Sequence, residues 1–167
     1  MIASLLDLFE LPASMDGKPV PFCAAGVSYV AAMVYAKASA VRQGVNPPKY
    51  SDTGALEGYL TELDHAHFYP TPSVYDMYLV AMGKRRWVLG SGLNRPKPGW
   101  IVVYCWTGGK PDHVGIVKAA RNSSISTIEF NTSPAHVTST DQRNGGYVAS
   151  RERQYPSKYV KGFIRTW

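Results

Sequence analysis

Cysteine is scarce: the 167 residues hold two, Cys23 and Cys105. That is too few for a disulfide framework, so the fold must rest on buried apolar surface. A single bridge between the two stays open at this level. Together with four histidines they show no metal-ligand spacing, so neither a metal nor a cofactor is expected. Charge is sparse too. Asp, Glu, Lys and Arg make up 18% of the chain against 45% hydrophobic residues, which is globular rather than disordered composition. Low-complexity tracts, internal repeats and composition shifts are missing, so residues 1–167 read as one domain.

Two further absences bear on partners. The net charge is +6 and the sequence pI about 9.3, which favours anionic partners. Yet Lys and Arg are scattered, apart from Lys84-Arg85-Arg86 and the stretch Arg151 to Arg153. With no basic helix and no zinc-finger spacing, nucleic acid is not an expected partner. Both clusters read as a solvated basic face, with attraction to an anionic cell envelope as the functional alternative. No export signal is visible: Asp7 and Glu10 interrupt the apolar residues Met1 to Leu11, and no positive charge precedes them. No apolar run approaches membrane-spanning length, so a soluble protein made in the cytoplasm is expected.

What is present divides into two halves. Residues 1–20 read as an N-terminal extension holding a short amphipathic helix, with Leu5, Leu8 and Phe9 on one side. Asp16 to Pro19 is turn chemistry, and Pro19 and Pro21 keep the approach to Cys23 extended. From Cys23 to about Val41, alanine, valine and methionine dominate without proline, predicting a helix apolar nearly all round and hence buried. Residues 42–98 read as a helical region. One helix, capped by Ser51 or Asp52, runs to about His65, and another spans Pro72 to Lys84 with proline in its first turn. Leu89 to Pro98 reads as loop. After Gly99 come five β-rich runs: Trp100 to Trp106, His113 to Ala119, Ile125 to Asn131, Tyr147 to Arg153 and Val160 to Trp167. Helices first and strands second predict an α+β fold, with N-terminal helices packed on a five-stranded antiparallel sheet.

Cys23 stands at the predicted helix start, where unpaired amides and the positive end of the dipole favour a thiolate. Its backbone amide is placed to stabilise an oxyanion. His113 opens a strand and shares a face with Gly115 and Val117, and Gly115 leaves room for another group. Thr127, Glu129 and Asn131 alternate on one face of the next run. Either Glu129 or Asn131 can reach the imidazole nitrogen facing away from Cys23 and fix its tautomer. His65 and His67 at a polar helix end, and His136 in a loop, are weaker candidates. Cys105 falls on the face of Ile101 and Val103 and reads as a core residue.

Cysteine at a helix start, then histidine and a polar partner on consecutive strands, is the order of a papain-like site. The chain resembles the CHAP family of cysteine amidohydrolases and peptidases over roughly residues 20 to 167. Phe22 to Val30 (FCAAGVSYV) is similar to the family's nucleophile helix, and Lys97 to Tyr104 (KPGWIVVY) to a strand start usually reading Pro-Gly-Asp-Ile-Val. Asp112 to Val117 (DHVGIV) is similar to the histidine strand, and Ile128 to Ser133 (IEFNTS) to Glu-Gly-Asn-Thr-Ser. Gly145 to Val148 and Val160 to Arg165 fit the last two strands. Gly26 stands where a bulky aromatic is common, Phe130 where glycine is, and Trp100 where aspartate is.

The resemblance implies a papain-like fold with Cys23, His113 and Glu129 as the catalytic set. Asn131 then shapes the site or replaces Glu129 as orienter. It implies a peptidoglycan peptide as substrate, cut in the stem, in the cross-bridge or at the muramoyl–alanine amide. Residues 42–98 become the substrate-facing part. An antibacterial effector delivered by a secretion system, or a phage-type lysin, is the expected setting. An effector brings a cognate immunity protein as partner. The alternative is a papain-like enzyme acting on protein substrates, as protease, deamidase or transglutaminase. A basic binding module in which Cys23 is only packed is the non-enzymatic reading.

Overall fold

The apolar start of the chain forms helix α1 (Ile2–Leu8), and its Leu5 and Leu8 sink into the same core cluster as Cys23. The computed structural model describes residues 2–15, 17–133 and 143–167. A small antiparallel pair, β1 (Ser14–Met15) and β2 (Lys18–Pro19), follows α1 and delivers the chain to α2 (Cys23–Gln43). Helix α2 ends where Gly44 takes a left-handed conformation (φ 68°), which glycine adopts without a Cβ penalty.

Helix α3 (Thr53–Ala66) is capped by Asp52, whose Oδ1 accepts from the Ala55 amide at 3.1 Å. Helix α4 (Val74–Gly83) is capped by Ser73, accepting from the Asp76 amide at 3.2 Å. The expected start at Pro72 is therefore two residues early, because Ser73 supplies the cap that proline cannot.

The sheet contains β3 (Trp87–Leu89), β4 (Ile101–Tyr104), β5 (His113–Ala120), β6 (Ser124–Thr132), β7 (Arg143–Gln154) and β8 (Val160–Ile164). Its order is β3-β8-β4-β5-β6-β7, with every pairing antiparallel. The fold is α+β as expected, but among the described residues the sheet has six strands where five were expected. The additional strand, β3, is three residues long and pairs with β8 through Trp87↔Ile164 and Val88↔Phe163. Three residues are too few to display an alternation, and Leu89, read as loop, closes this strand.

Helix α2 packs on β5 and β6 and touches α1, α3 and α4. Alternation along β4 divides the core: Ile101 and Val103 join the cluster beneath α2, while Val102 and Tyr104 join a second cluster on the other side. Both faces of this central strand are buried.

Three expectations need correction. Helix α2, with its 21 residues, is long and apolar enough to cross a membrane by length and composition. Its position is that of a core helix, with Cys23 to Tyr29, Ala32, Ala36 and Ala40 buried. It is not covered all round, however: Val34 and Val41 are exposed. Cys105 is not in the core with Ile101 and Val103. Strand β4 ends at Tyr104, so its alternation does not extend to Cys105, which is half-buried with its Sγ donating to the Gly109 carbonyl at 3.2 Å. Cys23 and Cys105 are both free thiols.

Candidate active site

Cys23 opens α2 directly after Phe22, which offers no side-chain cap, and the first amide bonded back to Phe22 is that of Gly26 at 2.8 Å. The Cys23 amide thus lies in a first turn whose N–H groups have no partner within the helix. Ser28, on the next turn, is tied to the Pro70–Pro72 segment. It donates to the Thr71 carbonyl at 3.1 Å and accepts from the Thr71 amide at 3.0 Å.

His113 stands at the first position of β5, opposite Tyr104 on β4. The turn before it is closed by Asp112, whose amide donates to the Tyr104 carbonyl at 3.0 Å. The Asp112 carboxylate accepts from the Trp106 amide at 3.0 Å and from the Thr107 hydroxyl at 2.9 Å. The imidazole, 2% exposed, is therefore delivered by a strand start and a closed turn.

Register then places the carboxylate. Glu129 on β6 lies opposite Gly115 on β5, and a Cβ at Gly115 would sit 2.8 Å from the Glu129 Cγ. The room expected beside Gly115 is taken by this side chain. Glu129 Oε2 is 3.0 Å from His113 Nε2. An ionised carboxylate only accepts, so Nε2 carries the hydrogen and Nδ1 is the basic nitrogen.

Glu129 is fully buried and, among the described residues, accepts five hydrogen bonds. Besides His113, the donors are the Tyr104 hydroxyl at 3.1 Å, the Thr127 hydroxyl at 2.8 Å and Arg153 through Nε at 2.8 Å and Nη2. A buried carboxylate without partners would lose its charge. Here burial alone would raise its pKa, but the bonds from Arg153 and His113 hold it far below the ordinary carboxylate range. Burial likewise lowers the His113 pKa, and is outweighed by hydrogen bonds to Cys23 and Glu129, which carry it up to about 9. Tyr104, pushed well upward by burial and by Glu129, stays a neutral donor.

The structure thus brings together Cys23, His113 and Glu129. Asn131, buried on the same alternating row as Glu129, takes a left-handed backbone conformation (φ 53°). Of the two residues left open as partner for the imidazole, the one with its oxygen on His113 Nε2 is Glu129. His67 is engaged elsewhere, its Nδ1 2.7 Å from the Thr166 carbonyl, His65 is exposed, and His136 lies outside the described residues.

Sequence reasoning missed Tyr104 and Arg153. Arg151 and Arg153 do not form a solvated basic face: both are buried, and Arg153 is spent on Glu129 while stacking over Trp106, 5.2 Å from the ring centroid. The available signal was alternation, which puts Arg151 and Arg153 on one strand face two residues apart, a costly arrangement unless an acceptor waits there.

A family model described as CHAP domain matches residues 15–131, more than half of the chain. The chain belongs to the CHAP family. Membership implies the papain-like fold and a cysteine- and histidine-dependent amidohydrolase or peptidase. No curated protein and no solved structure matches this CHAP chain.

An apolar groove of about 510 Å³ lies along the later turns of α2 and the row Ile101, Ile116, Ile128, with Val30, Val34 and Trp167 on its walls. Neither Cys23 nor His113 lines it.

Proposed function

We propose that this CHAP domain is a peptidoglycan hydrolase that cuts amide bonds by a Cys23–His113–Glu129 mechanism. The observation that carries the reading is the His113 Nε2 to Glu129 Oε2 bond, which leaves Nδ1 for Cys23 at the start of α2. His113 takes the Cys23 Sγ proton, and the thiolate attacks the amide carbonyl carbon. The carbonyl oxygen gathers charge beside the Cys23 backbone N–H. The imidazolium then protonates the leaving amine, the C–N bond breaks, and a thioester remains on Sγ. His113 next draws a proton from water, whose oxygen attacks the thioester carbon, releasing the acid and restoring the thiol.

The substrate class comes from the family, and the site chemistry is compatible with a stem peptide, a cross-bridge or a muramoyl–alanine amide. The segment tied to Ser28 by Thr71 lies within the 42–98 region, and we assign that region to substrate contact. The setting we favour is an antibacterial effector blocked by an immunity protein that fills the Cys23 cleft, with a lysin as the other.

Mass spectrometry of purified peptidoglycan incubated with wild-type and Cys23→Ala protein tests the reading. New fragments with wild type alone are expected, and their masses name the bond. Intact sacculi from folded wild-type protein would overturn the wall substrate and favour a protein substrate.

A further inference from the structure

We propose that Arg153 is a positioning residue of the catalytic set: its two-pronged clamp on Glu129 keeps that carboxylate ionised and oriented toward His113. This rests on the reading of Cys23, His113 and Glu129 as the reacting groups. Three observations carry it. Arg153 meets both oxygens of Glu129, Nε on Oε1 at 2.8 Å and Nη2 on Oε2, and Oε2 is also the atom that holds His113. A guanidinium fork fixes the plane of a carboxylate, which a single-point donor does not. The arginine is itself held in place, with its guanidinium carbon 5.7 Å from the Tyr104 ring centroid and 5.2 Å from that of Trp106.

The consequence is a division of labour. Tyr104 and Thr127 donate to Glu129 without adding charge. Without Arg153, this fully buried carboxylate would have only those two donors and His113 to offset its burial, and would take up a proton far more readily. It would then no longer be an ionised acceptor for the Nε2 hydrogen, and His113 would lose the partner that fixes Nδ1 as its basic nitrogen. Arg153 prevents this. Among the described residues, the other titratable or charged groups bearing on the pair are Cys23 from α2, Tyr104 from β4 and Arg151 from β7. Asp112 precedes His113, with its carboxylate turned to the Trp106 and Thr107 amides.

The test is the pH profile of Cys23 alkylation by iodoacetamide in a Cys105→Ser background, which removes the second, half-buried thiol. Arg153→Met and Arg153→Lys are compared with the parent, and folding is checked by circular dichroism. In Arg153→Met the acid-side midpoint is expected to move up by about one pH unit or more, with a smaller upward move in Arg153→Lys. A purely structural arginine lowers the rate at every pH and leaves the midpoint in place. Coincident midpoints in a folded Arg153→Met protein would overturn the proposal. If that variant does not fold, Arg153→Lys decides alone: an upward move supports the clamp and a coincident midpoint overturns it. The readout needs no wall substrate. Normal alkylation with untouched sacculi therefore removes the substrate reading and leaves the clamp standing, whereas a parent Cys23 that reacts no faster than an ordinary buried thiol removes the catalytic set itself.

Discussion

Gly26 on α2 and Phe130 on β6 occupy one space: a Cβ built at Gly26 would sit 2.3 Å from Cγ of the Phe130 ring. The two positions depart from the family pattern in opposite directions, a small residue where an aromatic is common and an aromatic where glycine is. The contact joins them into a single exchange. The ring comes from the sheet instead of the helix, and α2 still packs against β6 with Cys23 buried at its start.

Reversing one side alone therefore destabilises the protein. Gly26→Ala forces a methyl into the Phe130 ring and should cost about 1–3 kcal/mol. Phe130→Ala should cost about 3–5 kcal/mol through the cavity it leaves. The double variant should lose measurably less than the two costs added, because the methyl then enters vacated space. Urea unfolding of the four proteins measures this, and strict additivity would show that the residues are not coupled.

This pair shows where the sequence was legible and where it was not. The helix that Cys23 opens, the histidine strand and the carboxylate strand were readable because each shows itself in a local pattern. Cys23 follows an extended prolyl approach, His113 begins an apolar run, and Glu129 alternates with Ile128 and Phe130. Partnerships between distant segments were not readable. Arg153 looked solvated because its acceptor lies 24 positions away. Strand β3 was hidden because its evidence is its pairing with β8, not three residues of pattern. Cys105 was misplaced because β4 ends at Tyr104, one residue before it, a boundary that a period-two count does not mark.

Gly115 supplies a second prediction. A methyl there would sit 2.8 Å from the Glu129 Cγ and 3.0 Å from the Ile128 carbonyl oxygen. The carboxylate must then shift away from His113, so Gly115→Ala should lower kcat/KM by about 10²-fold. The stability cost should stay near 1–3 kcal/mol, the range for an overpacked site. Gly109→Ala is the matched control, since its added Cβ would meet nothing within 4 Å. Equal activity of the two variants would mean that Glu129 is not held by this contact.

Asn131 can be separated into backbone and side chain. Its φ of 53° is one that asparagine and glycine tolerate and alanine resists. Asn131→Ala should therefore be less stable than Asn131→Gly by about 1 kcal/mol, despite glycine's greater chain entropy. If Asn131 shapes the site through its backbone, Asn131→Gly keeps most of the activity. An Asn131→Gly protein that is stable but inactive would assign the role to the amide side chain.

The ionisation of the site also sets how stability depends on pH, with opposite signs for its two main groups. His113 holds its proton more tightly in the fold, with a pKa of about 9 against the ordinary 6.5. Its contribution is complete below about pH 6.5 and is lost as the pH rises toward 9. Glu129 is held far below the ordinary carboxylate range, so its contribution is present above that range and disappears only in strong acid. Thermal unfolding of the parent and of His113→Gln between pH 6 and 10 isolates the first effect. The parent's advantage should shrink across roughly pH 6.5 to 9, by on the order of 3 kcal/mol for a shift of this size. An advantage that stays constant through this window would mean that the imidazole is neutral in the folded protein and that Cys23 and Glu129 do not hold its proton.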